Sequence, residues 1–176
     1  MRGVAPILAG LAVLAMAPAV QAQVTVTRAV ATAPVLGNVL RGTTTTQFQV
    51  SGTGAVTRLS GDAIRLSNAS VTAPSFTISC GLLNLNGLCA IRRMRITITA
   101  TGHSADASIV KFHVAGLSGA SFYQGQPADA QSMTFDLNPI GILTVATITL
   151  GMTVELKPGA TTGVETFSYS VRADLL

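Results

Sequence analysis

Two cysteines are the residues of this sequence whose type and spacing most clearly predict a covalent bond. Cys80 and Cys89 are its only cysteines. The N-terminal segment predicts export to an oxidising compartment, where paired thiols are converted to disulfides. We therefore predict a Cys80–Cys89 disulfide that staples residues 81–88 into a loop. Closing a loop of about ten residues should stabilise the fold by roughly 2.5 to 3 kcal/mol.

The segment between the cysteines also permits a competing structure. Asn86-Gly87 is typical of a two-residue hairpin turn. Such a hairpin places Asn84 opposite Cys89 and leaves Cys80 four residues farther along the strand, roughly 13 Å away at about 3.3 Å per residue. A disulfide needs Cα atoms within about 7 Å, so the two structures exclude each other, and we favour the bond. The stapled loop is rich in leucine, which indicates a lid over the open end of the fold or a partner-binding patch.

The other reactive side chains form no catalytic pattern. His103 falls in a predicted turn and His113 on an outward strand face. The aspartates at positions 62, 106, 129 and 136 occur singly. A hydrolase needs a nucleophile beside a base, a carboxylate pair or a shell of metal ligands. We therefore predict that the protein is not an enzyme and has no metal and no cofactor.

Two groups of residues could bind a ligand without reacting with it. Phe122 and Tyr123 lie in a Gly-rich loop, and exposed aromatic rings are stacking surfaces for sugars. Arg92, Arg93 and Arg95 could contact an acidic surface polymer, or form a solvated face that prevents an edge strand from mispairing. These residues predict one possible function, a secreted carbohydrate- or surface-polymer-binding β-sandwich module.

The first 22 residues have the pattern of a secretory signal peptide. Arg2 precedes an apolar run over residues 4–17, and small residues end at Ala22. The run is too short for a retained membrane span. We predict cleavage after Ala22, one domain over residues 23–176, and a location in the periplasm, at the cell surface or outside the cell. The formal net charge of +4 is too small to imply nucleic acid as a partner.

Residues 146–173 carry the longest alternating pattern in the chain. Even positions from Ala146 to Leu156 are apolar, and after Pro158-Gly159 the alternation resumes from Phe167 to Ala173. We predict two neighbouring antiparallel strands. Regular turn signals between further short strands predict an all-β, Ig-like antiparallel β-sandwich of about seven to ten strands. The predicted core contains Ile96, Ile98, Phe112, Phe135, Ile148, Leu150 and Phe167.

The start of the predicted mature chain is a possible subunit-contact strand. Val24, Val26 and Val30 share one parity, and Pro34 separates them from the rest of the domain. Burying three valines in an acceptor sheet of another subunit would contribute roughly 4 to 7 kcal/mol before ordering costs. Alternatively, residues 23–32 are simply the first strand of their own sandwich.

Several short motifs resemble a family of secreted proteobacterial β-domains of uncharacterised function. The motifs are Leu36-Gly37-Asn38-Val39, Ser60-Gly61-Asp62-Ala63-Ile64, Phe76-Thr77-Ile78-Ser79-Cys80, Thr134-Phe135-Asp136-Leu137 and Phe167-Ser168-Tyr169-Ser170-Val171. The chain is also similar to pilus subunits in the alternating strand that follows Gly163. These resemblances imply an exported structural subunit of a cell-surface or fimbria-like assembly, with self-association or other surface subunits as partners and a periplasmic chaperone.

Overall fold

The computed structural model describes residues 24–28, 35–80, 88–102, 106–141, 144–159 and 163–176. Almost all of the regular structure in these residues is β-strand, with one helical turn. In chain order the elements are β1 Val24–Arg28, β2 Val35–Leu40, β3 Thr46–Val50, β4 Val56–Ser60, β5 Ile64–Arg65, β6 Ser75–Cys80, α1 Leu88–Ile91, β7 Met94–Gly102, β8 Ala107–Ser118, β9 Ser132–Leu137, β10 Val145–Leu156, β11 Gly163–Thr166 and β12 Ser168–Leu175.

The described strands form three antiparallel sheets. Sheet A has the order β1-β6-β10-β3-β4, with β8 on the remaining edge of β10. Sheet B has the order β11-β2-β5, and sheet C the order β12-β7-β9. The predicted all-β, antiparallel class is therefore confirmed, and the arrangement is β-sandwich-like.

Strand β10 is the centre of sheet A. One of its edges pairs with β8 along nearly its whole length. Its other edge pairs first with β6 and then with β3. Gly151 and Thr153 are buried although they lie on the face opposite the core. A Cβ at Gly151 would overlap the imidazole of His113, so the glycine allows this ring to pack across the strand.

The predicted pairing of the two C-terminal arms is wrong. Strand β10 pairs with β3, β6 and β8, whereas β12 pairs with β7 in a register that places Val171 opposite Ile98. Alternation determines which side chains share a face, but every strand offers the same backbone hydrogen-bonding groups at its edges. The pattern therefore predicted both strands correctly and could not identify their neighbours.

The predicted core is confirmed. All seven residues are buried in one apolar cluster: Ile96, Ile98, Phe112, Phe135, Ile148, Leu150 and Phe167. Phe112 of β8 meets Tyr169 of β12 edge-to-face, with ring centroids 5.7 Å apart. This aromatic contact joins sheet A to sheet C, because each ring comes from a different sheet.

Candidate interaction surfaces

Sheet B exposes four aliphatic side chains on one face. Its register places Leu40 opposite Ile64 and Asn38 opposite Val164. The Leu66 amide donates a hydrogen bond to the Asn38 carbonyl at 3.0 Å, which brings Leu66 beside the same residue. The four side chains are between 46% and 62% exposed. We call Leu40, Ile64, Leu66 and Val164, with Asn38 between them, the sheet B patch.

A glycine in β2 explains why Leu40 points outward. Leu36 and Val39 of β2 are both buried, although strict alternation would put residues three apart on opposite faces. Gly37 lies between them with φ of +82°, a conformation that favours glycine. The pairing of β2 with β11 also changes register after Val164. This β-bulge reverses the alternation and turns Leu40 toward solvent.

Charged side chains lie inside the protein close to this apolar surface. Arg41 follows β2 and donates a hydrogen bond to Glu165 of β11. Their side chains are only 7% and 13% exposed. A second carboxylate, Asp106 Oδ2, lies 3.1 Å from Arg41 Nη1. The hydrogen bond to Glu165 raises the pKa of Arg41 above its usual value, against the opposing effect of burial.

Polarity is therefore reversed at this end of sheet B. Leu40 and Val164 are exposed while their neighbours in sequence, Arg41 and Glu165, form a partly buried ion pair whose side chains are largely shielded from solvent. Neither the patch nor the ion pair was predicted from the sequence. Alternating apolar residues at positions 64 and 66 were a signal for the patch. The ion pair had no such signal, because Arg41 and Glu165 are 124 positions apart and no local pattern connects them.

The structure separates the two aromatic residues of the predicted ligand loop. The ring of Phe122 packs edge-to-face against Phe135, with centroids 5.6 Å apart. Tyr123 instead remains 46% exposed. Its backbone amide donates to the Asp136 carbonyl at 2.8 Å, which ties the loop to β9. Of the predicted pair, Tyr123 is the more exposed ring, although the Arg93 guanidinium covers one of its faces.

The predicted arginine group lies at and before the start of β7, and its members have different contacts. The Arg93 guanidinium lies 4.1 Å from the centroid of the Tyr123 ring. Arg95 donates two hydrogen bonds to Asp136, at 2.9 and 3.0 Å. These bonds hold the pKa of the Asp136 carboxyl below its usual value, and the charges of Arg95 and Arg93 lower it further. Because β7 lies between β12 and β9, the interpretation that these arginines protect an edge strand is wrong.

The side chains of several predicted site residues lie outside the described part of the structure. Cys80 ends β6 and Cys89 lies in α1, but both side chains fall outside the description, as do residues 81–87. The disulfide and the lid therefore stay predictions. Val24 and Val26 lie in β1, whose backbone pairs with β6 of the same chain. Val30 lies outside the described residues, and pairing of this segment between subunits stays a prediction.

Within the described ranges, no group of three or more His, Cys, Asp or Glu side chains could hold a metal ion. The described part of the chain also contains no helix whose length and apolar character would let it cross a membrane.

Comparison of the chain with protein-family models, with curated proteins and with solved structures finds no significant match. The resemblance to fimbria-like proteins therefore stays a hypothesis based on short motifs.

Proposed function

We propose that this protein is an exported, non-catalytic structural subunit, an Ig-like sandwich that associates with further copies of itself through the sheet B patch. The observation that supports this proposal is the reversed polarity of sheet B. Aliphatic side chains are exposed where the side chains of neighbouring charged residues are largely shielded from solvent. Contiguous apolar residues on a protein surface are informative because they often mark protein contacts.

A second copy suits the chemistry of this patch. Its four aliphatic side chains and Asn38 carry no charge, so two identical patches do not repel each other. The side-chain amide of Asn38 both donates and accepts hydrogen bonds. Two copies related by a twofold axis can therefore pair their Asn38 side chains while the aliphatic residues around them are buried.

The expected association is weak for an isolated pair of subunits. Complete burial of an aliphatic side chain contributes about 1.5 to 3 kcal/mol, so four half-exposed ones contribute roughly 3 to 6 kcal/mol per subunit. Two patches together supply roughly 6 to 12 kcal/mol, which is comparable to the estimated 4 to 15 kcal/mol cost of association. Repeated contacts in a surface assembly would strengthen the interaction through avidity.

Sedimentation velocity over a wide concentration range tests this contact. The mature chain should associate at high concentration, and Ile64→Asp should keep it monomeric, because burial of an unpaired carboxylate in the contact is unfavourable. Leu59→Asp is the matched control, since Leu59 is 51% exposed but belongs to β4 of sheet A. A chain that is monomeric throughout, or a Leu59→Asp chain that associates as poorly as Ile64→Asp, contradicts the proposal.

Export and strand exchange require separate tests. N-terminal sequencing of the secreted protein should begin at Gln23, as cleavage after Ala22 requires. Deletion of residues 23–32 distinguishes the two alternatives for β1. A soluble subunit that no longer assembles supports strand donation between copies, with the periplasmic chaperone as an earlier partner. A misfolded monomer supports an intrinsic first strand.

A further inference from the structure

A polar groove lies between the loop over residues 124–130 and strand β9. Its volume is about 360 Å³, which is within the usual range for small-molecule sites. Amide, hydroxyl and carboxylate side chains contribute to its lining: Gln124, Gln126, Ser132, Thr134 and Asp136. The Ser132 and Thr134 hydroxyls also bond with Thr99 and Thr97, at 3.2 and 3.4 Å, but a hydroxyl group both donates and accepts and so keeps hydrogen-bonding capacity for a sugar.

The loop that forms one wall of this groove is held by the rest of the fold. Gln126 Nε2 donates to the Val114 carbonyl at 2.8 Å. Ala130 and Phe112 exchange two backbone hydrogen bonds, at 2.8 and 3.3 Å. Because these contacts already order the loop, a ligand would not bear the entropic cost of ordering it.

The exposed ring of Tyr123 lies next to this groove. Tyr123 precedes Gln124 and is hydrogen-bonded to the backbone of Asp136, and both of these neighbours line the groove. The Arg93 guanidinium lies over the Tyr123 ring, 4.1 Å from its centroid. This cation–π contact orients the ring, while 46% of the residue stays exposed.

Positive charge exceeds negative charge at this end of the groove. The carboxylate of Asp136 is neutralised by its paired hydrogen bonds with Arg95. Arg93 adds a further positive charge beside the ring, and Arg92, its neighbour in sequence, is exposed. The site therefore combines a stacking ring, hydrogen-bonding groups and a cation, which together favour a carboxylated sugar over a neutral one.

We propose that the groove binds a segment of a carboxylated polysaccharide. One sugar ring packs on the face of Tyr123 opposite Arg93, its hydroxyl groups bond with the polar lining, and its carboxylate extends past the edge of the ring toward the arginine. The groove belongs to sheet C and its neighbouring loop, whereas the sheet B patch lies on another sheet. Glycan binding and self-association are therefore separate properties of the chain, and each can fail without the other.

Isothermal titration of the mature chain with alginate oligosaccharides, at low and at moderate salt, tests the proposal. Tyr123→Ala should weaken binding about tenfold, because a stacking surface is lost. Tyr123→Phe keeps the ring and should bind nearly as well as the unmodified chain. Arg93→Gln should weaken binding by about the same factor and reduce its salt dependence, because a charge-assisted contact is lost.

Arg172→Gln is the matched charge control. Arg172 is highly exposed and pairs with Asp174 on β12, and its replacement also removes one positive charge from sheet C. Binding by this variant should stay within about twofold of the unmodified chain. The proposal is overturned if alginate does not bind, or if neutral dextran oligosaccharides bind equally well. It is also overturned if Arg172→Gln weakens binding as much as Arg93→Gln, or if Tyr123→Ala, with an unchanged melting temperature, binds normally.

Discussion

The partly buried ion pair between Arg41 and Glu165 leads to the sharpest stability prediction. Glu165→Gln removes the negative charge and leaves a guanidinium that is only 7% exposed. Removing one partner of a buried pair typically costs about 3 to 5 kcal/mol, because the remaining charge is poorly compensated. Arg41 retains Asp106 at 3.1 Å, and this exposed carboxylate contributes up to about 1 kcal/mol. We therefore expect Glu165→Gln to lower the free energy of unfolding by about 2 to 4 kcal/mol.

Urea unfolding followed by far-UV circular dichroism measures this loss, since the chain has no tryptophan to report it by fluorescence. The slope of the transition should stay constant while its midpoint falls. Two variants serve as comparisons. Asp106→Asn should cost no more than about 1 kcal/mol because Asp106 is 54% exposed.

The double replacement Arg41→Met with Glu165→Met should be less destabilising than Glu165→Gln alone, because no unpaired charge remains. A Glu165→Gln chain within about 0.5 kcal/mol of the unmodified protein refutes the reasoning, because surface substitutions have effects of that size. A larger loss from Asp106→Asn than from Glu165→Gln refutes it as well.

Three further predictions concern buried, titrating and oxidised groups. Thr46→Val should lower the free energy of unfolding, measured in urea, by about 2 to 4 kcal/mol. The buried Oγ1 of Thr46 accepts hydrogen bonds from the backbone amides of Asp62 and Ala63 at 3.1 and 3.0 Å, and valine leaves both donors unpaired. Thr46→Ser should be much milder. Hydrogen bonds from the hydroxyls and amides of residues 43 and 44 hold the pKa of Asp62 well below its usual value. A carboxyl whose pKa is lowered on folding stabilises the fold above its unfolded pKa of about 3.9, and this contribution is lost as the pH falls further. The difference in melting temperature between the unmodified chain and Asp62→Asn should therefore shrink between pH 7 and pH 2, and a constant difference contradicts this. Alkylation of the native protein, followed by mass measurement, should label Cys80 and Cys89 only after reduction. Reduction should cost up to about 3 kcal/mol, and two labels without reduction refute the disulfide.

The sequence by itself determined the class of the fold, its main strands and much of its core. Alternation along residues 146–156 predicted β10 and the burial of Ile148 and Leu150, which the structure confirms. This succeeded because side-chain direction in a strand is a local property with a period of two residues. The same two-residue period along β7 predicted that Ile96 and Ile98 share one face, and both are buried.

Tertiary structure alone decided the strand partners and the surfaces that could serve function. β10 has β8 rather than β12 beside it because backbone edges are chemically alike and global packing selects among them. Arg41 and Glu165 meet across 124 positions, beyond the reach of any local pattern. Phe122 and Tyr123 are adjacent and both aromatic, yet packing against Phe135 takes one ring inward and leaves the other exposed. The left-handed backbone of Gly37 reverses the alternation of β2 and exposes Leu40, because a bulge changes the face of every residue that follows it.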